Sequence, residues 1–185
     1  MSRITLVTGG SRSGKSTFGE SLLKDRDDVL YIATAIVTDK EMEDRIERHK
    51  KSRNQKWSTY EGHRDLHKVI DNYEERYIFL DCVTVMTTNL LFDENVDFDN
   101  ISQHDIDNIT ESIKSQFRQL ISRVRQLDKE LILITNEVGW GLVPEYKISR
   151  IFRDVAGFVN QDIAKQCDEV YLVACGIPVK LKGEF

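Results

Sequence analysis

The chain has 185 residues with a formal net charge of -5, hydrophobic residues at 40% and charged residues at 31%. This length suits one hydrophobic core, so a single domain over residues 1–185 is expected, and the acidic balance excludes a general nucleic-acid binder, whose affinity rests on neutralising many phosphates. No apolar run approaches the roughly 20 residues that span a bilayer, the N-terminus shows no signal-peptide pattern, and the three cysteines, Cys82, Cys167 and Cys175, are odd in number and widely spaced, so free buried thiols in a cytoplasmic protein are expected.

The first element, Ile4-Thr5-Leu6-Val7-Thr8, is a β-branched apolar run of strand character. It leads into Gly9-Gly10-Ser11-Arg12-Ser13-Gly14-Lys15-Ser16, which matches the G-x-x-x-x-G-K-[ST] phosphate-binding loop. A triphosphate needs many donors converging on a small charged volume. Glycines clear the Cβ atoms that would block inward-pointing amides, and a helix opening near Lys15 adds its positive end. Lys15 then reaches the β and γ phosphates, and the Ser16 hydroxyl is placed to ligate Mg²⁺.

Helical spacing continues over 17–24 through Phe18, Leu22 and Leu23, and Val29-Leu30-Tyr31-Ile32-Ala33-Thr34 reads as a parallel strand buried on both faces. Thr38 and Glu41 form a capping box, predicting a charged helix to about residue 53. Arg45, His49 and Arg53 recur at intervals that place them on one helix face, with Arg48, Lys50, Lys51 and Lys56 nearby. By residue chemistry this is either a solvated face or a seat for phosphate groups, in which His49 would be the titratable nitrogen nucleophile.

Trp57, Tyr60 and Glu61 belong to a less regular segment, followed by a helix over 64–72 on Leu66, Val69 and Ile70. Tyr77-Ile78-Phe79-Leu80-Asp81 is the next buried strand. Its terminal carboxylate suits a metal-organising Asp81, since ligands gather at the carboxyl ends of parallel strands. Residues 93–99 read as an acidic surface loop, and 102–128 as an amphipathic helix with Ser102 and Asp105 at its start and a core stripe from Ile106 to Leu127. His104 is placed on the surface.

Residues 130–137 form a fourth strand pattern, and 138–145, with Gly139, Trp140, Gly141 and Pro144, a loop suited to closing over a ligand. A helix over 146–166, a strand over 169–174 and a short edge strand ending near Leu181 complete the chain. The expected fold is α/β: a P-loop NTPase-like three-layer arrangement with a mainly parallel sheet, helices on both faces and an antiparallel C-terminal edge strand.

The phosphate loop, Arg45-Ile46-x-x-His49-Lys50-x-x-Arg53, Trp57 with Glu61, Asp81-Cys82-x-Thr84 and Thr88-Asn89-Leu90-Leu91 occur in one order. With Asn136-Glu137-Val138-Gly139-x-Gly141-x-Val143-Pro144-Glu145, Phe152-Arg153-Asp154, Asn160-Gln161 and Gly176-Ile177-Pro178, the whole resembles the bifunctional adenosylcobinamide kinase and adenosylcobinamide-phosphate guanylyltransferase family of cobalamin biosynthesis. The resemblance implies two reactions: phosphorylation of adenosylcobinamide by ATP or GTP, then transfer of GMP from GTP through a guanylylated histidine at the position of His49. It also implies that Lys15 is catalytic and that Ile32, Ala33, Thr34, Lys50, Lys51, Ser52, Arg53, Glu61 and Asp81 join the loop in contacting guanine nucleotide. Mg²⁺ held by Ser16 and Asp81, a corrinoid substrate and a homotrimer follow from the same likeness. Asn54, where a proline often follows the arginine, departs from the family pattern, and Trp140 fills a variable slot. The residues alone also admit a single-activity small-molecule kinase or a GTP-binding switch.

Overall fold

Apolar side chains alternating with a period of two build the centre of the molecule. The computed structural model describes residues 2–36, 40, 54–93 and 96–184, and elements are numbered among these. The helix expected after Thr38, with Arg45, His49, Lys50, Lys51, Ser52 and Arg53, lies outside the described residues.

Strands β1 (Arg3–Thr8), β2 (Val29–Ala33), β3 (Ser58–Glu61), β4 (Tyr77–Asp81), β5 (Glu130–Ile134), β6 (Glu169–Ala174) and β7 (Ile177–Lys182) form one sheet in the order β3-β2-β4-β5-β1-β6-β7. Every neighbouring pair is parallel except β6 and β7. The expected antiparallel edge strand is present. It is reached through a tight turn in which Cys175 and Gly176 both have positive φ, 53° and 78°, the geometry that matches the twist of a two-residue hairpin.

Leu6, Leu30, Ile32, Ile78, Leu80, Leu131 and Leu133 point to one face of the sheet, where they meet helices α2 (Leu66–Val69), α3 (Val83–Asp93), α4 (Gln103–Gln126) and α5 (Lys147–Gln166). Val7, Val29, Tyr31, Phe79, Ile132 and Ile134 point to the other, with Phe18 and Leu23 from α1 (Lys15–Ser21) and its exit. Burial on both faces is why the central strands read as nearly continuous apolar runs. Helix α4 begins where expected: Ser102 caps it by accepting from the Asp105 amide at 3.2 Å. Arg118 of α4 grips Asp162 of α5 with two nitrogens, at 2.9 and 2.6 Å.

Three expectations change. Residues 58–61 are a strand rather than irregular chain; Ser-Thr-Tyr-Glu at a sheet edge is only half covered and carries no apolar run to announce it. The helix expected over 64–72 is a single turn, α2, passing into a 3₁₀ turn at Ile70–Asn72. Cys82 and Cys167 are buried as expected, but Cys175 is exposed because it occupies the β6–β7 turn.

Candidate nucleotide site

The phosphate loop leaves the carboxyl end of β1 and enters α1. Gly9 is required by close approach: a Cβ there would lie 2.4 Å from the Val173 carbonyl oxygen and 2.6 Å from Ser13 Oγ. Gly14 has φ 94° at the N-cap of α1, a conformation that side chains disfavour. The loop closes on itself through Ser13 N–H donating to Gly10 O at 3.2 Å, and it is braced from behind by Gly176 N–H donating to Ser13 O at 2.8 Å. Lys15 is buried and its Nζ donates to Gly10 O at 3.0 Å, so the ammonium is folded over the loop. Ser13 Oγ is buried with no hydrogen-bond partner among the described residues, a polar atom left over in a cradle shaped for an anion. Ser11 and Arg12 sit at the exposed tip, Arg12 with φ 58°.

The sheet register brings distant residues into one row. Glu61 of β3 lies level with Ala33 of β2, Ala33 with Asp81 of β4, Asp81 with Ile134 of β5, and Ile134 with Val7 of β1. At about 4.8 Å between strands, Asp81 is about 10 Å and Glu61 about 19 Å from the strand that feeds the loop. Asp81 therefore joins the loop's neighbourhood, whereas Glu61 stands at the far end of the same edge. Asp81 shares the parity of Phe79 and so faces the α1 side, where the Tyr31 hydroxyl donates to its Oδ2 at 3.1 Å. Ile32 is fully buried in the core, leaving only its backbone for a ligand.

Thr34 is built into a clamp. Its hydroxyl accepts from Cys82 N–H and donates to Cys82 O, both at 2.8 Å, and its carbonyl accepts from Asn89 Nδ2 at 2.7 Å. It thereby locks the end of β2 to the residue after Asp81. Burial, reinforced by the Asp81 charge, pushes the Cys82 thiol up to about 12, so the sulfur is a packing atom and no thiolate nucleophile.

The sequence reading assigned no role to a ring of polar side chains behind this edge. Thr84 Oγ1 lies 3.2 Å from Thr135 Oγ1 and accepts from Asn136 N–H at 2.7 Å; Thr135 Oγ1 donates to Asn160 Oδ1 at 2.7 Å, and Asn160 Nδ2 donates to Asn136 O at 3.2 Å. Thr84 enters from the sequence only as a motif letter, and Asn160 only as one of the polar residues of the 146–166 helix that could face a ligand; the structure turns it to Thr135 and Asn136 instead.

A serine hydroxyl at the start of α1 and a carboxylate on the same side of the sheet are hard oxygen donors. Among the described residues there is no cluster of three or more His, Cys, Asp or Glu side chains arranged for a metal. This donor set fits Mg²⁺, which uses one or two protein oxygens and completes its shell from substrate phosphates and water. A cavity of about 350 Å³ lined by Arg3, Arg26, Tyr77 and Glu130 lies at the opposite, amino-terminal ends of the strands, away from these groups.

Residues 5–181 match the family model described as cobinamide kinase / cobinamide phosphate guanyltransferase. The chain is 44% identical over 179 residues to the bifunctional adenosylcobalamin biosynthesis protein CobU of Escherichia coli K12, covering 96% of this chain and 98% of that one. Its identity to the Salmonella typhimurium protein of the same name is 45% with the same coverage. The Pseudomonas aeruginosa protein CobP is 34% identical over 97% of each chain. Among solved structures, a KaiC-like protein from Pyrococcus horikoshii aligns with a TM-score of 0.46 at 13% identity, over 92% of this chain and 70% of that one. No helix among the described residues is long and apolar enough to cross a membrane. A match of this extent, carried through nearly every element of the sheet and its helices, makes the chain a member of the cobinamide kinase / cobinamide phosphate guanyltransferase family.

Proposed function

We infer that this protein phosphorylates adenosylcobinamide with ATP or GTP and then transfers GMP from GTP to the adenosylcobinamide phosphate, yielding adenosylcobinamide-GDP. The observation that carries this reading is a folded phosphate loop with Lys15 closed over it, inside a chain matched to the family over residues 5–181.

In the first reaction the aminopropanol hydroxyl attacks the γ-phosphorus and the bond to the β-γ bridging oxygen breaks, releasing nucleoside diphosphate. Lys15 and the loop amides from Gly9 to Ser16 hold the phosphates in line and offset the charge that spreads over the transferring group. Ser16 and Asp81 would hold Mg²⁺, which would supply further charge neutralisation when bound. In the second reaction a neutral His49 nitrogen attacks the α-phosphorus of GTP and pyrophosphate leaves. The corrinoid phosphate then attacks the same phosphorus, and the P–N bond breaks. Splitting one displacement into two lowers each barrier, and Lys50, Lys51, Ser52 and Arg53 are assigned to the pyrophosphate and guanylyl oxygens. Ile32, Ala33, Thr34 and Glu61 are assigned to the nucleotide along the carboxyl edge.

We also propose a homotrimer located in the cytoplasm. Support for the assembly comes from the family resemblance and from β7, an edge strand with exposed Ile177, Val179 and Leu181 on one side, an arrangement that proteins ordinarily cover. Support for the compartment comes from three unpaired cysteines, one of them exposed.

The deciding experiment is intact mass after incubation with GTP and Mg²⁺. The wild-type protein is expected to gain one acid-labile GMP, and His49→Ala to gain none while retaining phosphorylation of adenosylcobinamide. Guanylyl transfer to the corrinoid without any adduct on the protein would remove the covalent step from this reading.

A further inference from the structure

Phosphorylation and guanylyl transfer differ in one respect that bears on the site. The first acceptor is an alcohol, which must lose a proton as its oxygen bonds to phosphorus. The second acceptor is a phosphate, already anionic and in no need of a base. A residue serving only the first reaction would therefore be a carboxylate or imidazole beside the γ-phosphate position.

The sheet narrows the choice of carboxylate. At the carboxyl edge stand Glu61, four strands from β1; Asp81, two strands away; and Glu137, on the segment leaving β5, the strand paired directly with β1. That segment stays in register with the loop: Thr135 N–H donates to Val7 O and Glu137 N–H donates to Gly9 O, both at 3.0 Å. Asp81 accepts from the Tyr31 hydroxyl and is assigned to the metal.

The segment is also held rigidly from behind. Asn136 is fixed through both backbone groups, its N–H to Thr84 Oγ1 and its carbonyl to Asn160 Nδ2, while the Thr135 hydroxyl closes the ring between them. Such fixation is what places a reacting group to within a fraction of an ångström. From this pinned backbone Glu137 projects a half-buried carboxylate, one oxygen of which accepts from Gly139 N–H at 3.1 Å. The other makes no hydrogen bond within the described residues.

Resting on the kinase reading above, we propose that Glu137 is a catalytic residue of the phosphorylation step, its carboxylate accepting the proton of the acceptor hydroxyl. As the oxygen–γ-phosphorus bond forms, the hydroxyl proton passes to Glu137, the bond to the bridging oxygen breaks, and its electron pair leaves on the nucleoside diphosphate. Glu137 then returns the proton to water. Thr84 and Asn160 are positioning residues for this carboxylate.

The test measures both reactions in Glu137→Gln, which keeps the size and the Glu137 amide bond, and in Glu137→Asp. In Glu137→Gln the kcat for phosphorylation of adenosylcobinamide should fall about 100-fold with the KM values for nucleotide and corrinoid changed by less than about threefold. Guanylyl transfer to preformed adenosylcobinamide phosphate should proceed as in the wild type, and Glu137→Asp should recover part of the lost rate. Phosphorylation by Glu137→Gln at the wild-type rate overturns the proposal, as does equal loss of both reactions, which would mark a structural role. A wild-type protein that phosphorylates no corrinoid at all would remove the kinase reading itself, an outcome visible before any variant is made.

Discussion

Thr34 shows how a residue can serve a site without offering it a free hydrogen bond. Its hydroxyl donates to and accepts from the same neighbour, Cys82, and its amide and carbonyl are engaged by Asp81 and Asn89. What it can give a nucleotide is contact and a fixed position for Asp81. Thr34→Val preserves shape and strands the buried Cys82 N–H, while the Cys82 carbonyl still accepts from Met86 N–H at 3.0 Å, so stability should fall by about 2 kcal/mol in chemical denaturation. Nucleotide affinity should weaken with it as Asp81 loosens. The phosphate loop was legible residue by residue because its chemistry is contiguous. Thr84, Thr135 and Asn160 were not, because their bonds join residues separated by 51, 25, 52 and 24 positions, and no local pattern encodes them.

Among the elements, the segment between β5 and α5 combines firm anchorage with unusual exposure. Glu137 ties its beginning to Gly9, and the Arg150 guanidinium donates to Pro144 O and Glu145 O at its end. Between them Trp140, Leu142, Val143 and Tyr146 are 72%, 95%, 69% and 72% exposed. An apolar surface of this kind beside a phosphate cradle suits a large acceptor with apolar faces. Trp140→Ala should raise the KM for adenosylcobinamide about tenfold, the effect of losing one buried aromatic contact, while GTP alone still guanylylates the protein. Steady-state kinetics with varied corrinoid checks this.

The end of α3 carries a second, purely structural device. Asp93 receives His63 Nε2 at 2.6 Å and Arg64 Nε at 2.7 Å. Burial pushes its carboxyl up, but the hydrogen bonds and charges of His63 and Arg64 prevail and hold it below the ordinary 3.8. A carboxylate lowered on folding stabilises the protein above its unfolded pKa and loses that contribution as the pH falls through the folded value. Asp93→Asn should therefore reduce stability at neutral pH by less than about 1 kcal/mol. The difference from wild type should shrink in acid below about pH 4, as read from thermal melts across that range.

At the scale of the molecule, the sheet has two unlike edges. The β3 edge carries half-covered polar residues, whereas β7 presents exposed Ile177, Val179 and Leu181. If that strand is covered in a trimer, Val179→Asp should shift the protein toward monomer in sedimentation while leaving the fold intact. A protein that sediments as a monomer at every concentration would discard the assembly.

By itself the sequence determined what depends on neighbours along the chain: the phosphate loop, the buried strands, the capped α4 with its stripe, and the hairpin into β7. Glycine placement, period-two and period-3.6 alternation and capping side chains are short-range signals, and each acts wherever it occurs. Only the tertiary structure decided that β2 pairs with both β3 and β4, that β5 lies between Asp81 and the loop, and that Thr84, Asn136 and Asn160 lock together. Those facts rest on pairings between residues far apart in the chain, where burial and hydrogen bonding of the whole sheet choose among partners that the local pattern leaves equivalent.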